Sequence, residues 1–423
     1  MRIAIFGLGY VGVVNMACFS KLGHTVWGCD VKSQKVDSIK NGISPIHEPG
    51  VDELLQQGLA SGLVNASTNA KEVLDNADIA LICVGTPSAG DGKVNLDYTI
   101  NTTLDLVEYL KNNDRNFTIV YRSTIPPGTI EENVLSHFEN WTGKHKPKVA
   151  FLPEFLREGT AVKDFFHCSR IVVGSEGEEP KELKELLSFD ANIPLVFTDY
   201  KTAEFVKYVD NAFHAMKIAF VNEIYSLGSS FGIDVQKAND IFLMDTHLNV
   251  SKNYLRPGLP FGGSCLPKDL RAIQYFAKRN NVQIPVIGNI INSNSMLLDG
   301  MLEKIIAKGA KSVSLYGLTF KSGTDDVRES PMLRLLHALV EKGIDVKVYD
   351  HDINLTTLRI EQAAVVKHVV SEAEQAFANA EIIIVCKKGF EEYTACINKN
   401  AYIFNFYSLK NFNLPNPQEM LYS

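Results

Sequence analysis

The segment FGGSCLPKD, residues 261–269, surrounds a cysteine with residue types that could turn its thiol into a nucleophile. Two glycines before Cys265 allow a ligand to approach the backbone closely. The residues after the proline are typical of a helix start, where the helix dipole and the Lys268 ammonium would stabilise a thiolate. Asp269 lies four residues beyond the cysteine and could act as a base. Because a free cysteine is more often a small core residue, the segment alone leaves a structural and a catalytic role open.

A second chemical pattern is a polar stripe on an otherwise apolar helix. Residues 201–231 contain no proline and a single glycine, which predicts one long helix. Four polar side chains fall within about 80° of arc at ~100° per residue, namely Lys207, Asn211, His214 and Asn222. One interpretation is an exposed hydrophilic face. The other is a ligand-binding wall, in which Lys207 and Asn211 donate hydrogen bonds to a developing oxyanion.

The hexapeptide GLGYVG, Gly7 to Gly12, fits the dinucleotide-binding fingerprint GxGxxG. It follows the apolar run RIAIF and precedes a helical stretch, and Asp30 ends the next apolar run. The glycines allow a tight turn beside a pyrophosphate, while Asp30 would bind the ribose hydroxyls and repel a 2′-phosphate. We therefore expect NAD in preference to NADP, with Thr86 and Thr124, each just past a further strand, near the nicotinamide. Plain glycine turns and loops are the alternative.

The elements that must position these residues form two α/β patterns separated by a helical stretch. Buried runs alternate with helices in the first pattern, from RIAIFGLG through TVWGCD, IALICVGTP and FTIVYRST, and KVAFLPEF and RIVVGS extend it to about residue 175. The second begins near Lys311 with SVSLYGLTF and continues with DVKVYD, EIIIVC and AYIFNF. Such runs predict parallel sheets. We expect an α/β fold with two doubly wound Rossmann-like domains, residues 1–200 and 301–423, joined by a helical middle domain, residues 201–300, that contains the long helix.

Composition excludes several functional classes. The chain has 423 residues, 45% of them hydrophobic, and a formal net charge of −7, which argues against nucleic-acid binding. No apolar run reaches the ~18 residues of a membrane span. The first residues form a fold motif instead of a signal peptide, and the seven cysteines show no CxxC pair. We expect a cytoplasmic protein with reduced thiols, without a metal site and without a membrane partner.

Five motifs together resemble the UDP-glucose/GDP-mannose dehydrogenase family, over nearly the whole chain. They are GLGYVG, PEFLREGTA, EFVKYVDNAFHAMKIAFVNEI, FGGSCLPKD and FKSGTDDVRESP, in that order. The resemblance implies an NAD-dependent four-electron oxidation of a nucleotide sugar, from a C6 alcohol to a carboxylate. In it Cys265 forms a thiohemiacetal and then a thioester, which water hydrolyses.

The resemblance also implies a role for each matching residue. Lys207 and Asn211 match the oxyanion-stabilising pair, and Asp269 with Thr124 matches the group that orients or activates water. Glu154 is implied to assist proton transfer. The cofactor residues, from the fingerprint and the resemblance together, are Gly7, Gly9, Tyr10, Val11, Gly12, Asp30, Lys35, Thr86, Thr124, Lys268 and Arg328. The implied substrate residues are Glu158, Lys207, Asn211, His214, Asn222, Tyr254, Arg256, Gly262 and Lys321. For the two glutamates a solvated surface position is the alternative, and for His214 a core position.

Within the family, HAMK and HLNVSKNYLRPG are most similar to the GDP-mannose 6-dehydrogenases. The alternatives are oxidation of UDP-glucose or of a UDP-N-acetylhexosamine. A β-hydroxyacid dehydrogenase would share the Rossmann domain and a Lys-Asn helix but perform a single hydride transfer without a cysteine, and a non-enzymatic NAD-binding module is a third class. The resemblance further implies a homodimer built on the long helix, with larger assemblies open, and a uronic acid product that serves exopolysaccharide or capsule synthesis.

Overall fold

A computed structural model of the protein describes residues 1–177, 179–230, 232–246, 254, 257–279, 281, 284–356, 358, 362–407 and 412–420. The chain forms two compact units, Met1–Asp210 and Asn211–Ser423. Among the described helices, none combines the length and the apolar character that a bilayer crossing requires.

An eight-stranded sheet forms the centre of the first unit, with the strand order β3-β2-β1-β4-β5-β6-β7-β8 in the described chain. The strands are β1 (Arg2–Phe6), β2 (Thr25–Cys29), β3 (Val64–Ser67), β4 (Ile79–Ile82), β5 (Thr118–Tyr121), β6 (Lys148–Phe151), β7 (Ile171–Gly174) and β8 (Leu195–Thr198). The first six strands pair in parallel, as the buried runs predicted. β7 instead meets β6 in an antiparallel bridge, and β8 is parallel to β7. Composition identifies a buried strand but does not fix its direction.

Helices cover both faces of this sheet. Ile3 and Ile5 belong to one hydrophobic core, whereas Ala4 and Phe6 belong to another, and successive strand residues point to opposite faces. The helices are α1 (Tyr10–Lys21), α2 (Ser33–Lys40), α3 (Val51–Ala60), α4 (Ala70–Asp75), α5 (Asp97–Asn112), α6 (Ala161–Phe166) and α7 (Lys181–Leu187), with a π-helix at Ile130–Val134 and a 3₁₀ turn at Leu135–Phe138. Packing on both faces explains why the strands are apolar throughout.

The long helix α8 spans Tyr200–Ser230, close to the predicted bounds. Its polarity is inverted relative to an ordinary surface helix. Lys207 and Asn211 are 4% and 7% exposed, whereas Phe205 and Val209 are 53% and 46% exposed. The interpretation of the polar stripe as an exposed hydrophilic face is therefore wrong at these two positions.

The second unit continues from α8 into further helices and a smaller sheet. The helices are α9 (Val235–Phe242), α10 (Leu266–Arg279), α11 (Pro285–Ala307), α12 (Pro331–Glu341), α13 (Ala363–Val366) and α14 (Ala373–Phe377), with a 3₁₀ turn at Phe390–Cys396. The parallel strands are β9 (Ser312–Tyr316), β10 (Asp345–Tyr349), β11 (Ile382–Val385), β12 (Tyr402–Asn405) and β13 (Gln418–Met420), in the order β10-β9-β11-β12-β13. Both faces of this sheet carry a core, because Ile382 and Ile384 lie in one cluster and Ile383 and Val385 in another.

A buried carboxylate holds the loop after β5 in the first unit. Glu204 on α8 is fully buried. Its Oε2 accepts a hydrogen bond from Gly128 N at 2.5 Å, and its Oε1 accepts one from Ile130 N at 2.9 Å. Burial raises the pKa of Glu204 to about 7, although the two backbone donors act in the opposite direction.

This raised pKa predicts a pH-dependent stability. In the unfolded chain the pKa of a glutamate is about 4.3. Between that pH and about 7 the folded state therefore binds the extra proton, and the contribution of Glu204 to the free energy of unfolding falls as pH rises. Glu204→Gln removes this titration while keeping an acceptor. We expect the difference in melting temperature between pH 6 and pH 8 to shrink by about 2–4 °C. Glu139→Gln removes an exposed carboxylate just after the 3₁₀ turn and is the matched control. An equal response of both variants would contradict the assignment.

Candidate functional site

The turn after β1 has the shape that a dinucleotide requires. Gly7 has φ +93°, in the left-handed region that favours glycine. A Cβ on Gly12 would lie 1.9 Å from the Gly7 carbonyl oxygen, so helix α1 can approach the turn only with glycine there. A Cβ on Gly9 would meet no atom within 4 Å, which leaves open space at the position where a pyrophosphate approaches the backbone. Tyr10 and Val11 begin α1 beside this space.

Asp30 stands at the end of β2 as the fingerprint predicts. Its carboxylate accepts hydrogen bonds from Leu8 N at 2.8 Å and Lys32 N at 2.9 Å, and Lys35 Nζ lies 3.2 Å away. These contacts fix the carboxylate beside the glycine turn. The turn and the carboxylate together fit the pyrophosphate and the ribose of NAD.

Two further predicted cofactor residues lie together at the carboxyl ends of β4 and β5. The Thr86 hydroxyl donates a hydrogen bond to the Thr124 carbonyl oxygen at 2.9 Å. Thr86 is buried and Thr124 is half-buried. The contact joins two loops at the edge of the sheet where ligands bind in doubly wound folds.

Glu48, which the sequence reasoning did not single out, ties the glycine turn to the loop of PEFLREGTA. Its buried carboxylate accepts a hydrogen bond from the Tyr10 hydroxyl. It also accepts hydrogen bonds from Gly159 N at 2.6 Å and Ala161 N at 2.7 Å. The predicted ligand residue Glu158 is half-buried on this loop. The sequence shows Glu48 only as the glutamate of a short EPG stretch, 18 residues beyond Asp30. That stretch matches no motif whose spacing would predict a functional residue.

Lys207 and Glu154 form a buried ion pair in the first unit. Lys207 Nζ lies 2.9 Å from Glu154 Oε1, and the other carboxylate oxygen accepts a hydrogen bond from Leu156 N at 2.7 Å. Burial would raise the pKa of Glu154, but the Lys207 ammonium, the Leu156 N–H and the Arg122 guanidinium hold it below its usual range. Glu154 is therefore an anion that orients Lys207. A solvated surface position for Glu154 is wrong.

Asn211 and Asp269 form the corresponding contact in the second unit. The Asn211 side-chain amide donates a hydrogen bond to Asp269 Oδ2, and Lys268 Nζ lies 3.4 Å from Asp269 Oδ1. The Asp269 carboxylate is buried within α10. Its position four residues after the cysteine is fixed by the helix, because Asp269 N donates to the Cys265 carbonyl oxygen at 2.9 Å.

Cys265 immediately precedes α10 and is the exposed cysteine of the chain. Burial raises the pKa of the Cys18, Cys29 and Cys83 thiols to about 12. Those thiols stay protonated near neutral pH and are structural. The exposure of Cys265 at a helix N-terminus is the arrangement that favours a reactive thiolate.

The cysteine loop is held against the segment FKSGTDDVRESP. Gly263 N donates to the Arg328 carbonyl oxygen at 3.1 Å. A Cβ on Gly262 would lie 2.6 Å from the Glu329 carbonyl oxygen. The Arg271 guanidinium on α10 forms an ion pair with the Glu329 carboxylate. Gly262 is thus required for the close approach of two backbone segments within the second unit.

Other predicted substrate residues line a neighbouring part of α8. The His214 and Tyr254 rings are stacked, with their centroids 5.1 Å apart. Asn222 Oδ1 accepts a hydrogen bond from Gly258 N at 3.0 Å. Lys217, which sequence reasoning missed, is buried with Nζ 5.6 Å from the Tyr254 ring centroid.

Three of the predicted residues remain. Lys321 is exposed on the loop after β9. The Arg328 side chain forms an ion pair with Asp326, 2.5 Å away. Arg256 lies outside the described residues. The first unit therefore holds the predicted cofactor turn and the Lys207–Glu154 pair, and the second holds the cysteine, Asn211 and Asp269.

Sequence profiles of one family match three successive segments of the chain. The NAD binding domain of the UDP-glucose/GDP-mannose dehydrogenase family matches residues 1–188, the central domain matches residues 201–296, and the UDP binding domain matches residues 314–405.

Individual relatives match over most of their length. The chain is 38% identical over 410 residues to the GDP-mannose 6-dehydrogenase of Pseudomonas syringae pv. syringae. This alignment covers 94% of this chain and 93% of that protein. It is 35% identical over 354 residues to a UDP-glucose 6-dehydrogenase of Bacillus subtilis strain 168. That alignment covers 83% of this chain and 79% of the relative. The solved structure of a UDP-glucose dehydrogenase from Pyrobaculum islandicum superposes with a TM-score of 0.91 at 30% identity, covering 99% of this chain and 97% of that one.

The contact at Gly262 generates a prediction about the cysteine loop. Gly262→Ala drives a methyl group into the Glu329 carbonyl oxygen, so we expect a destabilisation of about 1–3 kcal/mol and a changed rate of Cys265 alkylation by iodoacetamide. Gly258→Ala is the matched control, because its Cβ would meet its nearest neighbour at 3.8 Å. Thermal unfolding and mass-spectrometric labelling measure both effects. Equal behaviour of the two variants would show that the close approach is unimportant.

Proposed function

Since the chain belongs to the UDP-glucose/GDP-mannose dehydrogenase family and is an NAD-dependent nucleotide-sugar 6-dehydrogenase, we propose that it oxidises GDP-mannose to GDP-mannuronate. The observation that carries this choice is the match to GDP-mannose 6-dehydrogenases over 94% of the chain, against 83% for a UDP-glucose 6-dehydrogenase. The motifs HAMK and HLNVSKNYLRPG support it. UDP-glucose and UDP-N-acetylhexosamines remain the alternatives.

A β-hydroxyacid dehydrogenase and a non-enzymatic NAD-binding module do not account for the whole chain. The family profiles cover the central segment with the cysteine loop as well as the C-terminal sheet. Both parts are needed for a nucleotide sugar and a thioester route, and neither is needed for a single hydride transfer.

The cofactor fits the first unit. The glycine turn, Asp30 with Lys35, and the Thr86–Thr124 contact would hold NAD. Bound NAD supplies a hydride acceptor for each of the two oxidation steps. The residues of the chain must bind and orient the substrate, move protons and carry the covalent intermediate.

In the first oxidation the C6 hydroxyl loses its proton and a hydride leaves C6, which gives an aldehyde. We assign the transfer of this proton to the Lys207–Glu154 pair, because Lys207 Nζ and Glu154 Oε1 lie 2.9 Å apart in a buried contact. The aldehyde oxygen is a hydrogen-bond acceptor that Lys207 and Asn211 can hold.

In the second oxidation the Cys265 thiolate forms a bond to C6, and the carbonyl π electrons move to oxygen. Lys207 and Asn211 stabilise this thiohemiacetal oxyanion by donating hydrogen bonds, a contribution that increases as negative charge develops. When the C=O bond re-forms, a second hydride leaves C6 and the product is a thioester.

Hydrolysis completes the reaction. Water adds to the thioester carbon, the C–S bond breaks, and the thiolate returns to Cys265. We assign Asp269 as the group that accepts the proton of water, with Thr124 orienting it, because the Asn211 amide and Lys268 fix the Asp269 carboxylate on α10. Cys265 and Asp269 share one helix start, so the covalent and the hydrolytic groups are positioned by the same element.

We also propose that the chain forms a homodimer along α8. The exposed apolar side chains of Phe205, Val209 and Phe220 support this, since burying them against a second copy would remove apolar area from water. The uronate product has the chemistry of a glycosyl donor for an acidic exopolysaccharide or capsule.

The thioester route predicts two NADH per sugar. Cys265→Ser should lower the rate of acid formation at least about a hundredfold, because an alkoxide is a poor leaving group in hydrolysis, while NAD binding is retained. Cys168→Ser changes a half-buried thiol in the other unit and should behave as wild type. NADH absorbance and product analysis measure the stoichiometry. One NADH per sugar, or undiminished turnover in Cys265→Ser, would exclude the mechanism.

The substrate assignment predicts a ranking. Assayed side by side, GDP-mannose should give a kcat/KM at least about tenfold above UDP-glucose and the UDP-N-acetylhexosamines, equivalent to about 1.4 kcal/mol of transition-state binding. A higher value for any uridine nucleotide would replace GDP-mannose as the substrate and leave the four-electron chemistry intact.

A further inference from the structure

A buried ion cluster lies at the carboxyl end of the second sheet. Lys387 follows β11 and is 2% exposed. Its Nζ lies 2.6 Å from Asp350 Oδ1 and 2.7 Å from Asp352 Oδ2. The two aspartates follow β10. Nothing in the thioester mechanism uses these three residues, and burying three charges is costly unless each is well paired.

The same turn occurs in the first sheet with a different occupant. Leu8 N donates to Asp30 at 2.8 Å, and Leu318 N donates to Asp350 at 2.7 Å, each just after the first strand of its sheet. In the first unit the carboxylate is paired with Lys35, whose side chain is 30% exposed. In the second unit the corresponding carboxylate, Asp350, is paired with Lys387, which is buried.

Asp350 has no capacity left for a ribose. Its carboxylate accepts hydrogen bonds from Leu318 N, from Thr319 N at 3.0 Å, from Asp352 N at 3.0 Å, and from Lys387. A carboxylate offers about four lone-pair sites. The cluster therefore serves the protein itself and not a second dinucleotide.

What the cluster holds is the loop after β9, residues 317–323. Asp350 fixes its start through Leu318 N and Thr319 N, and Asp352 Oδ2 accepts from Gly323 N at 3.0 Å at its end. Within the loop the Thr319 hydroxyl donates to the Lys321 carbonyl oxygen at 3.0 Å. The loop is thus anchored at both ends.

The alkyl chain of Lys387 packs directly beneath this loop, since a Cβ on Gly317 would lie 2.6 Å from its Cγ. Burial alone would raise the pKa of Asp352, but hydrogen bonds from Lys387 and Gly323 N lower it below its usual range. The Asp352 carboxylate is therefore ionised, and it holds Gly323 N and Lys387 Nζ through hydrogen bonds.

We infer that Lys387 is a positioning residue for the nucleotide sugar: through Asp350 and Asp352 it fixes the 317–323 loop so that Lys321 meets the anionic substrate. The inference rests on the proposed function in one respect, the substrate contact of Lys321. We therefore expect Lys387 to affect the affinity for the sugar nucleotide and not the affinity for NAD.

The test is a double-mutant cycle in the full-length enzyme. Lys387→Met leaves two carboxylates without their cation, so the loop loses its anchors. We expect the KM for GDP-mannose to rise at least tenfold, with the KM for NAD and the binding of NAD within twofold of wild type. Lys321→Ala should raise the GDP-mannose KM as well, and the double variant should resemble Lys321→Ala alone, because both act through one contact. Lys388→Met, an exposed neighbour, is the matched control and should change neither KM.

The outcomes separate the two hypotheses. If Lys321→Ala leaves the sugar-nucleotide KM unchanged, with GDP-mannose and with UDP-glucose, the proposed substrate contact is wrong. If Lys321→Ala raises that KM while Lys387→Met does not, or if the two effects are fully additive, the positioning role is overturned. Should Lys387→Met fail to fold, Asp352→Asn keeps the Lys387–Asp350 pair and should raise the same KM about threefold. An unchanged KM in that variant also overturns the inference.

Discussion

A buried charge must have a partner, and this constraint decides where the polar groups of the protein lie. An unpaired buried carboxylate or ammonium costs several kcal/mol. Helix α8 nevertheless buries Lys207 and Asn211 and exposes Phe205 and Val209. The arrangement is stable because each polar group meets a carboxylate from another segment, Glu154 in one case and Asp269 in the other. The helix is therefore organised around its polar contacts.

The two sheets show how one backbone turn serves different purposes. In both sheets an aspartate just after the second strand along the chain, Asp30 or Asp350, accepts a hydrogen bond from the backbone N–H that follows the glycine of the turn. The first sheet leaves the neighbouring space open beside Gly9. The second places Lys387 beside Gly317 and uses the carboxylate to shape a loop. A shared fold therefore does not imply a shared ligand, and one lysine after β11 changes what the turn can bind.

Sequence reasoning was strongest where a physical period or a fixed spacing existed. Apolar runs and the absence of proline predicted the parallel strands β1 to β6 and the length of α8. The glycine turn was predicted by the fixed spacing of GxGxxG, whose residues are close together along the chain. The reversal of β7 could not be predicted, because a buried strand has the same composition in either direction. Glu48, Glu204 and Lys387 were missed for a related reason. Each is a single charged residue whose partners lie far away along the chain, 111 residues away in the contact between Glu48 and Gly159.

The exposure of Cys265 has a consequence for the chain under oxidative stress. Cys18, Cys29, Cys83 and Cys386 are buried in the hydrophobic cores, and burial raises the pKa of each. Peroxides react with accessible thiolates and convert them first to a sulfenic acid and then, irreversibly, to sulfinic and sulfonic acids. The exposure that the proposed thioester route requires also admits a peroxide. Among the cysteines, oxidation is therefore expected first at Cys265, the sulfur atom to which we assign the thioester.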